Sequence, residues 1–141
     1  MDQFLEFISN HSLLSGAWIV VAMLLLIAQL QHIKSGIKAL VPQEVTNLMN
    51  KHSALVVDIR PIADFNKGHI AGSKNIPQSK LKDSYQELEK YKTNPIIVVC
   101  NSGITAGPAS SQLKKAGFEQ VHKLAGGIQS WLGENLPVAK S

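Results

Sequence analysis

Between Glu6 and Lys34 the chain carries no Asp, Glu, Lys or Arg, and the centre of that interval, Leu13 to Leu30, reads LLSGAWIVVAMLLLIAQL. As a helix rising about 1.5 Å per residue, these residues match the hydrocarbon thickness of a bilayer. A core helix of a water-soluble domain would show a polar face, and this run is apolar all round. A cleaved signal peptide would begin with basic residues and end in a small-residue cleavage site; here the start is acidic and the exit reads Ala28-Gln-Leu-Gln-His32. The reading is a retained transmembrane helix over 13–31, with the lipid bilayer as its first partner. Lys34 and Lys38 follow the run while Asp2 and Glu6 precede it. The positive-inside bias then places a short N-terminus, 1–12, outside and everything after the helix in the cytoplasm, at the inner (plasma) membrane if the cell is bacterial.

The rest of the chain is basic, with 14 Lys and Arg against 8 acids once Asp2 and Glu6 are set aside. That balance suits an anionic small substrate or an anionic membrane surface. All but one of the bases are Lys, and no basic run is interleaved with aromatics, so nucleic acid is not an expected partner. Cys100 is the sole cysteine, which excludes an internal disulfide and fits a reducing compartment. With no Cys-x-x-Cys and no closely spaced His pair, no metal site is expected.

Cys100 stands where one kind of structure gives way to another. Ile96-Ile-Val-Val99 is a short β-branched run of the type buried on both faces of a parallel sheet, opened by Pro95. Small polar residues follow the cysteine, and Ala109, Leu113 and Ala116 then keep helical spacing up to Gly117, a C′ candidate. Open α/β sheets bind ligands at such strand-to-helix junctions. Loop amides and a helix N-terminus favour the thiolate, the nucleophilic form of a group whose unperturbed pKa is about 8.5. A lone Cys ending an apolar strand is equally consistent, on this window alone, with a small buried hydrophobe.

The same alternation recurs upstream. Pro42 is placed to open a short helix with Val45, Leu48 and Met49 on one face, and Ala54-Leu-Val-Val-Asp58-Ile-Arg60 reads as a strand ending in charge. Strands alternating with helices predict an open parallel α/β sheet flanked by helices. Asp58, Arg60 and Asp64 form a candidate ion-pair network at the strand exit, in which the only Arg supplies bidentate contacts. His69, beside Gly68, is read as securing local backbone. Leu81 to Lys92 is expected to be one polar helix with Tyr85, Leu88 and Tyr91 inward. Gly126-Gly127 suit a tight turn with positive φ, and Trp131 closes the core against it.

Asp58-Ile-Arg60, Asp64-Phe65 and Gly68-His69-Ile70-Ala-Gly72-Ser73-Lys-Asn75-Ile76-Pro77, with Gly117 to Trp131, together resemble the rhodanese family of sulfurtransferases over roughly 37–138. The resemblance implies a rhodanese-like domain over 37–138, which together with the transmembrane helix 13–31 leaves an N-terminus 1–12, a linker 32–36 and a tail 139–141. It implies that Cys100 is the catalytic residue and that Asn101, Ser102, Gly103, Ile104 and Thr105 complete a six-residue loop whose amides wrap the sulfur. Asp58, Arg60, Asp64 and His69 would support it structurally. The implied reaction is a double displacement: the Cys100 thiolate takes a sulfane sulfur as a persulfide and passes it to a thiol or other nucleophile, with no cofactor or metal.

Loops of resembling thiosulfate-using members read C-R-K-G-x-T, whereas this one has neutral Asn101 and Ser102 in place of the two cations. A small thiol persulfide or a protein persulfide is therefore a better expected partner than doubly charged thiosulfate. A related phosphatase chemistry needs an Arg closing the loop, and no Arg follows Cys100. A non-catalytic docking or scaffold module, tethered to the membrane beside a membrane-protein partner, is the competing expectation.

Overall fold

A computed structural model describes residues 2–34 and 36–141 and divides the chain into two compact units that meet at Gly36 and Ile37. In the first unit, α1 (Asp2–Asn10) leads into α2 (Ser12–Lys34). The turn at His11 hardly interrupts the helical ladder: the His11 N–H donates to the Phe7 carbonyl at 3.1 Å and the Ser15 N–H to the His11 carbonyl at 2.9 Å. The sequence reading assigned no helix to 1–12. With no Gly or Pro before Gly16, nothing stops the helix from running back to Asp2. Helix α2 also reaches Lys34, inside the segment 32–36 expected as a linker; Ser35 of that segment, and Met1, lie outside the described residues. Ser12–Leu30, of mean hydropathy 2.3, is the one stretch among the described residues long and apolar enough to cross a membrane.

The second unit is built on five parallel strands in the order β1-β5-β4-β2-β3, where β1 is Ala39–Leu40, β2 Leu55–Asp58, β3 Lys74–Asn75, β4 Pro95–Val99 and β5 Gln120–Leu124. Alternate residues of the two central strands feed two cores. Leu55, Val57, Ile96 and Val98 pack with Leu113 and Phe118 on one face. Val56, Ile97 and Val99 pack with Val45, Ile128 and Trp131 on the other. A strand buried on both faces cannot alternate apolar with polar, which is why β4 reads as an unbroken apolar run.

Helix α3 (Pro42–His52) has Pro42 at its first position, and the Glu44 carboxylate accepts the Val41 N–H at 3.0 Å. After β2 come the short helix α4 (Ile62–Lys67) and the edge strand β3. The segment expected as one helix over 81–92 is instead a chain of short pieces. A 3-10 turn at Lys82–Ser84, one α turn, α5 (Tyr85–Leu88), and a 3-10 turn at Glu89–Tyr91 follow one another. Leu81 and Leu88 are buried and Tyr85 and Tyr91 pack on the core, so the inward positions are as read. They are held by tight turns because so short a polar segment adapts to the core beneath it. Helix α6 (Ala106–Lys115) follows β4, and α7 (Gly127–Gly133) follows β5. At the end of α6, Gly117 adopts φ +99° one residue past the Ala116 cap.

Candidate active site

Cys100 is the first residue after the central strand β4, at the carboxyl edge of the sheet. Its side chain is 2% exposed, and the loop that follows folds back over it. The Gly103 N–H donates to Sγ at 3.0 Å. Thr105 is the N-cap of α6, and its hydroxyl makes no capping bond. Burial alone would push the thiol pKa up. The Thr105 hydroxyl and the amides of Ala106, Gly103 and Ser102 outweigh it, so the thiol sits below its ordinary value.

The loop keeps this shape because α7 leans on it. Gly103 has φ +91°, and a Cβ there would meet the Gly126 nitrogen at 3.0 Å. Gly126 and Gly127 both have positive φ, at +73° and +62°. Beyond that turn the Ile128 N–H donates to the Cys100 carbonyl at 2.8 Å and the Gln129 N–H to the Asn101 carbonyl at 3.3 Å. The glycine pair is legible in the sequence as a turn; its partnership with the cysteine loop is not, since it depends on β4 and β5 lying side by side.

Asp58 and Arg60 leave the adjacent strand β2. The Asp58 carboxylate, almost fully buried, accepts the Arg60 backbone N–H at 3.0 Å, Arg60 Nε at 3.0 and 3.1 Å, and Nη2 at 2.7 Å. The same Nη2 donates to the Gly68 carbonyl at 2.8 Å, tying the end of α4 to the strand exit. Asn75 Nδ2 donates to the carbonyls of Asp58 and Arg60 at 3.1 and 2.9 Å. Asp64, expected in the same network, is not in it. It lies exposed in the first turn of α4, and among the described residues it has no salt-bridge partner. His69 is buried, its Nδ1 2.8 Å from the Phe65 carbonyl and its ring stacked on Phe65 at 3.8 Å.

A cavity of about 490 Å³ opens above the sulfur. Cys100, Asn101 and Thr105 form its floor; Ile59, Arg60, Pro61, Asp64, Lys67 and Gly68 form one wall, and Gln78, Leu132 and Val138 close it. Of the expected loop residues, Ser102, Gly103 and Ile104 do not line the cavity; Gly103 is buried and the other two are exposed, Ile104 at 78%. Lys67, Gln78, Leu132 and Val138 were missed as site residues. They come from four separate segments, and only the helix spacing of Lys67 from Asp64 offered any signal.

The pattern of the Rhodanese-like domain matches residues 41–134, two thirds of the chain. The chain belongs to the rhodanese-like family. Among its rhodanese-like relatives, the uncharacterized protein YibN of Escherichia coli strain K12 is 42% identical over 141 residues, covering 99% of each chain. The protein named thiosulfate sulfurtransferase GlpE of Pseudoalteromonas translucida is 32% identical over 88 residues, 62% of this chain and 82% of the relative. Among solved rhodanese-like structures, a rhodanese-related protein from Thermoplasma volcanium superposes with a TM-score of 0.67 at 28% identity, over 74% of this chain and 99% of that one. The family is thus of sulfurtransferase type, and the parallel sheet with its flanking helices is the rhodanese fold.

Proposed function

We propose that the protein is a membrane-anchored sulfurtransferase in which Cys100 carries a sulfane sulfur as a persulfide from a thiol persulfide donor to a nucleophilic acceptor. The observation that carries this reading is the placement of Cys100 Sγ, which accepts the Gly103 loop N–H at 3.0 Å, at the lining of an open cavity. Thiolate attack on the donor's outer sulfur breaks the donor S–S bond, forms Cys100–S–SH and releases the donor thiolate. The loop donors and the N-terminal end of α6 stabilise the negative charge at every stage without a metal.

Thiosulfate is a poor fit as donor. Asn101 and Ser102 are neutral, and the Arg60 guanidinium in the cavity wall already serves Asp58 and Gly68 through Nε and Nη2. The apolar stretch Ser12–Leu30 supplies the anchor, and Lys34 and Lys38 orient the rhodanese domain toward the cytoplasm.

Intact-mass measurement of the full chain in detergent micelles, after incubation with sulfane-sulfur donors, tests the chemistry. One added sulfur atom on the wild type and none on Cys100→Ser is the expected result; turnover undiminished by that substitution would end the proposal. Protease added to intact cells should leave everything after Lys34 uncut, and cleavage of the domain there would reverse the orientation.

A further inference from the structure

The cavity above Cys100 holds two opposite charges for which the chemistry at sulfur has no use. Asp64 and Lys67 are three residues apart on α4, a spacing that sets them on one helix face, and both line the cavity. Among the described residues neither forms a salt bridge, with the other or with any third group. The walls beside them are apolar at Ile59, Leu132 and Val138. The volume of about 490 Å³ falls within the range of about 300–1,000 Å³ typical of clefts that enclose an organic ligand, far more than a compact oxyanion fills. A carboxylate in the wall also opposes any dianion, so Asp64 works against thiosulfate while Lys67 works for it.

We propose that the sulfur carrier taken by this cavity is a zwitterionic aminothiol of amino-acid or short-peptide type, used as its persulfide, with its carboxylate on Lys67 and its ammonium on Asp64. This rests on the sulfurtransferase reading above and adds the class of substrate. The Cys100 thiolate attacks the outer sulfur of R–S–SH, the carrier S–S bond breaks, Cys100–S–SH forms and R–S⁻ leaves. The proton stays on the transferred sulfur and no external oxidant or reductant is needed. Lys67 and Asp64 are binding residues that select the carrier and take no part in the bond exchange.

Four persulfides with the same reacting group separate the charges: those of cysteine (both), N-acetylcysteine (carboxylate only), cysteamine (ammonium only) and 2-mercaptoethanol (neither). The rate of sulfur uptake by Cys100 of the full chain, followed by intact mass, is divided by the rate with the neutral donor for each variant. That division removes general effects on folding or on the thiol. Cysteine persulfide should give the highest ratio. Lys67→Gln should lower the ratios for the two carboxylate-bearing donors, and Asp64→Asn those for the two ammonium-bearing donors, each by about three- to fivefold, as befits solvent-exposed charge pairs. The exchanged pair Asp64→Lys with Lys67→Asp should recover cysteine persulfide. Ratios that ignore donor charge, or that neither substitution moves, would overturn the zwitterion assignment alone. No sulfur uptake from any of the four donors would overturn the sulfurtransferase reading beneath it.

Discussion

Gly127 packs so closely on Cys100 that a Cβ added to it would lie 2.4 Å from the Cys100 carbonyl oxygen and 2.6 Å from that of Asn101. Its φ of +62° is one that side chains rarely adopt. Gly127→Ala must therefore push α7 away from the cysteine loop, with an expected loss of at least about 2 kcal/mol in stability together with slowed sulfur uptake. Gly133 is the internal control. Nothing lies within 4 Å of a Cβ there, so Gly133→Ala should change thermal unfolding little. Melting curves of both variants beside the wild type check the contrast.

Thr105→Val keeps the shape of the side chain and removes the hydroxyl that helps hold the Cys100 thiol below its ordinary pKa. The donor favours the thiolate, so its loss raises the thiol pKa while the opposing effect of burial remains. Iodoacetamide labels the only cysteine, which makes the labelling rate a direct titration. The wild-type midpoint should lie below that of an ordinary thiol and the variant midpoint above the wild type, with slower labelling at pH 7. Because the folded thiol is the stronger acid, its thiolate adds stability above the unfolded pKa, and that increment disappears as pH falls through the folded value.

Arg60→Ala should be among the most damaging single changes in the domain. It leaves the Asp58 carboxylate, 1% exposed, without its guanidinium and the Gly68 carbonyl without a donor. A loss of about 3–5 kcal/mol is expected, visible as a large fall in melting temperature. Arg60→Lys should recover only part, since an ammonium cannot make the fork of bonds that Arg60 makes to both carboxylate oxygens.

Asn101→Arg with Ser102→Lys should lower the thiosulfate KM by about tenfold, an effect that shrinks with added salt because exposed charges are screened over about 10 Å at 0.1 M. Asn101 lines the cavity and Ser102 does not, so Asn101→Arg alone should supply most of the gain. Kinetics at two ionic strengths, with a neutral persulfide as reference, decide it. Equal changes for both donors would mean that these positions do not set donor choice.

The central strands, the strand-to-helix junction at Cys100 and the inward residues Leu88 and Trp131 were legible because burial on two faces leaves an unbroken apolar run and burial on one face leaves a period in the sequence. Edge strands of two residues, Ala39–Leu40 and Lys74–Asn75, leave none. The Asp58–Arg60 pair was legible from charge at a strand exit, whereas the separation of Asp64 from it depends on where α4 places that exposed side chain. The broken turns over 82–91 escaped because polar residues with three apolar anchors satisfy α and 3-10 spacing alike. The cavity walls escaped altogether, since Lys67, Gln78, Leu132 and Val138 meet only through the fold.

The pairing of β1 with β5 has a consequence for the order in which the chain is made. The Leu40 carbonyl accepts from Ala125 and the Lys38 carbonyl from Lys123, so the first strand to leave the ribosome waits for the last. Non-local parallel pairing of this kind forms slowly, and synthesis advances at about 5–20 residues per second. The loop that holds Cys100 emerges before Gly126-Gly127 and the amides of Ile128 and Gln129 that brace it. The brace on the cysteine loop is therefore complete only once the final stretch of the polypeptide has been made.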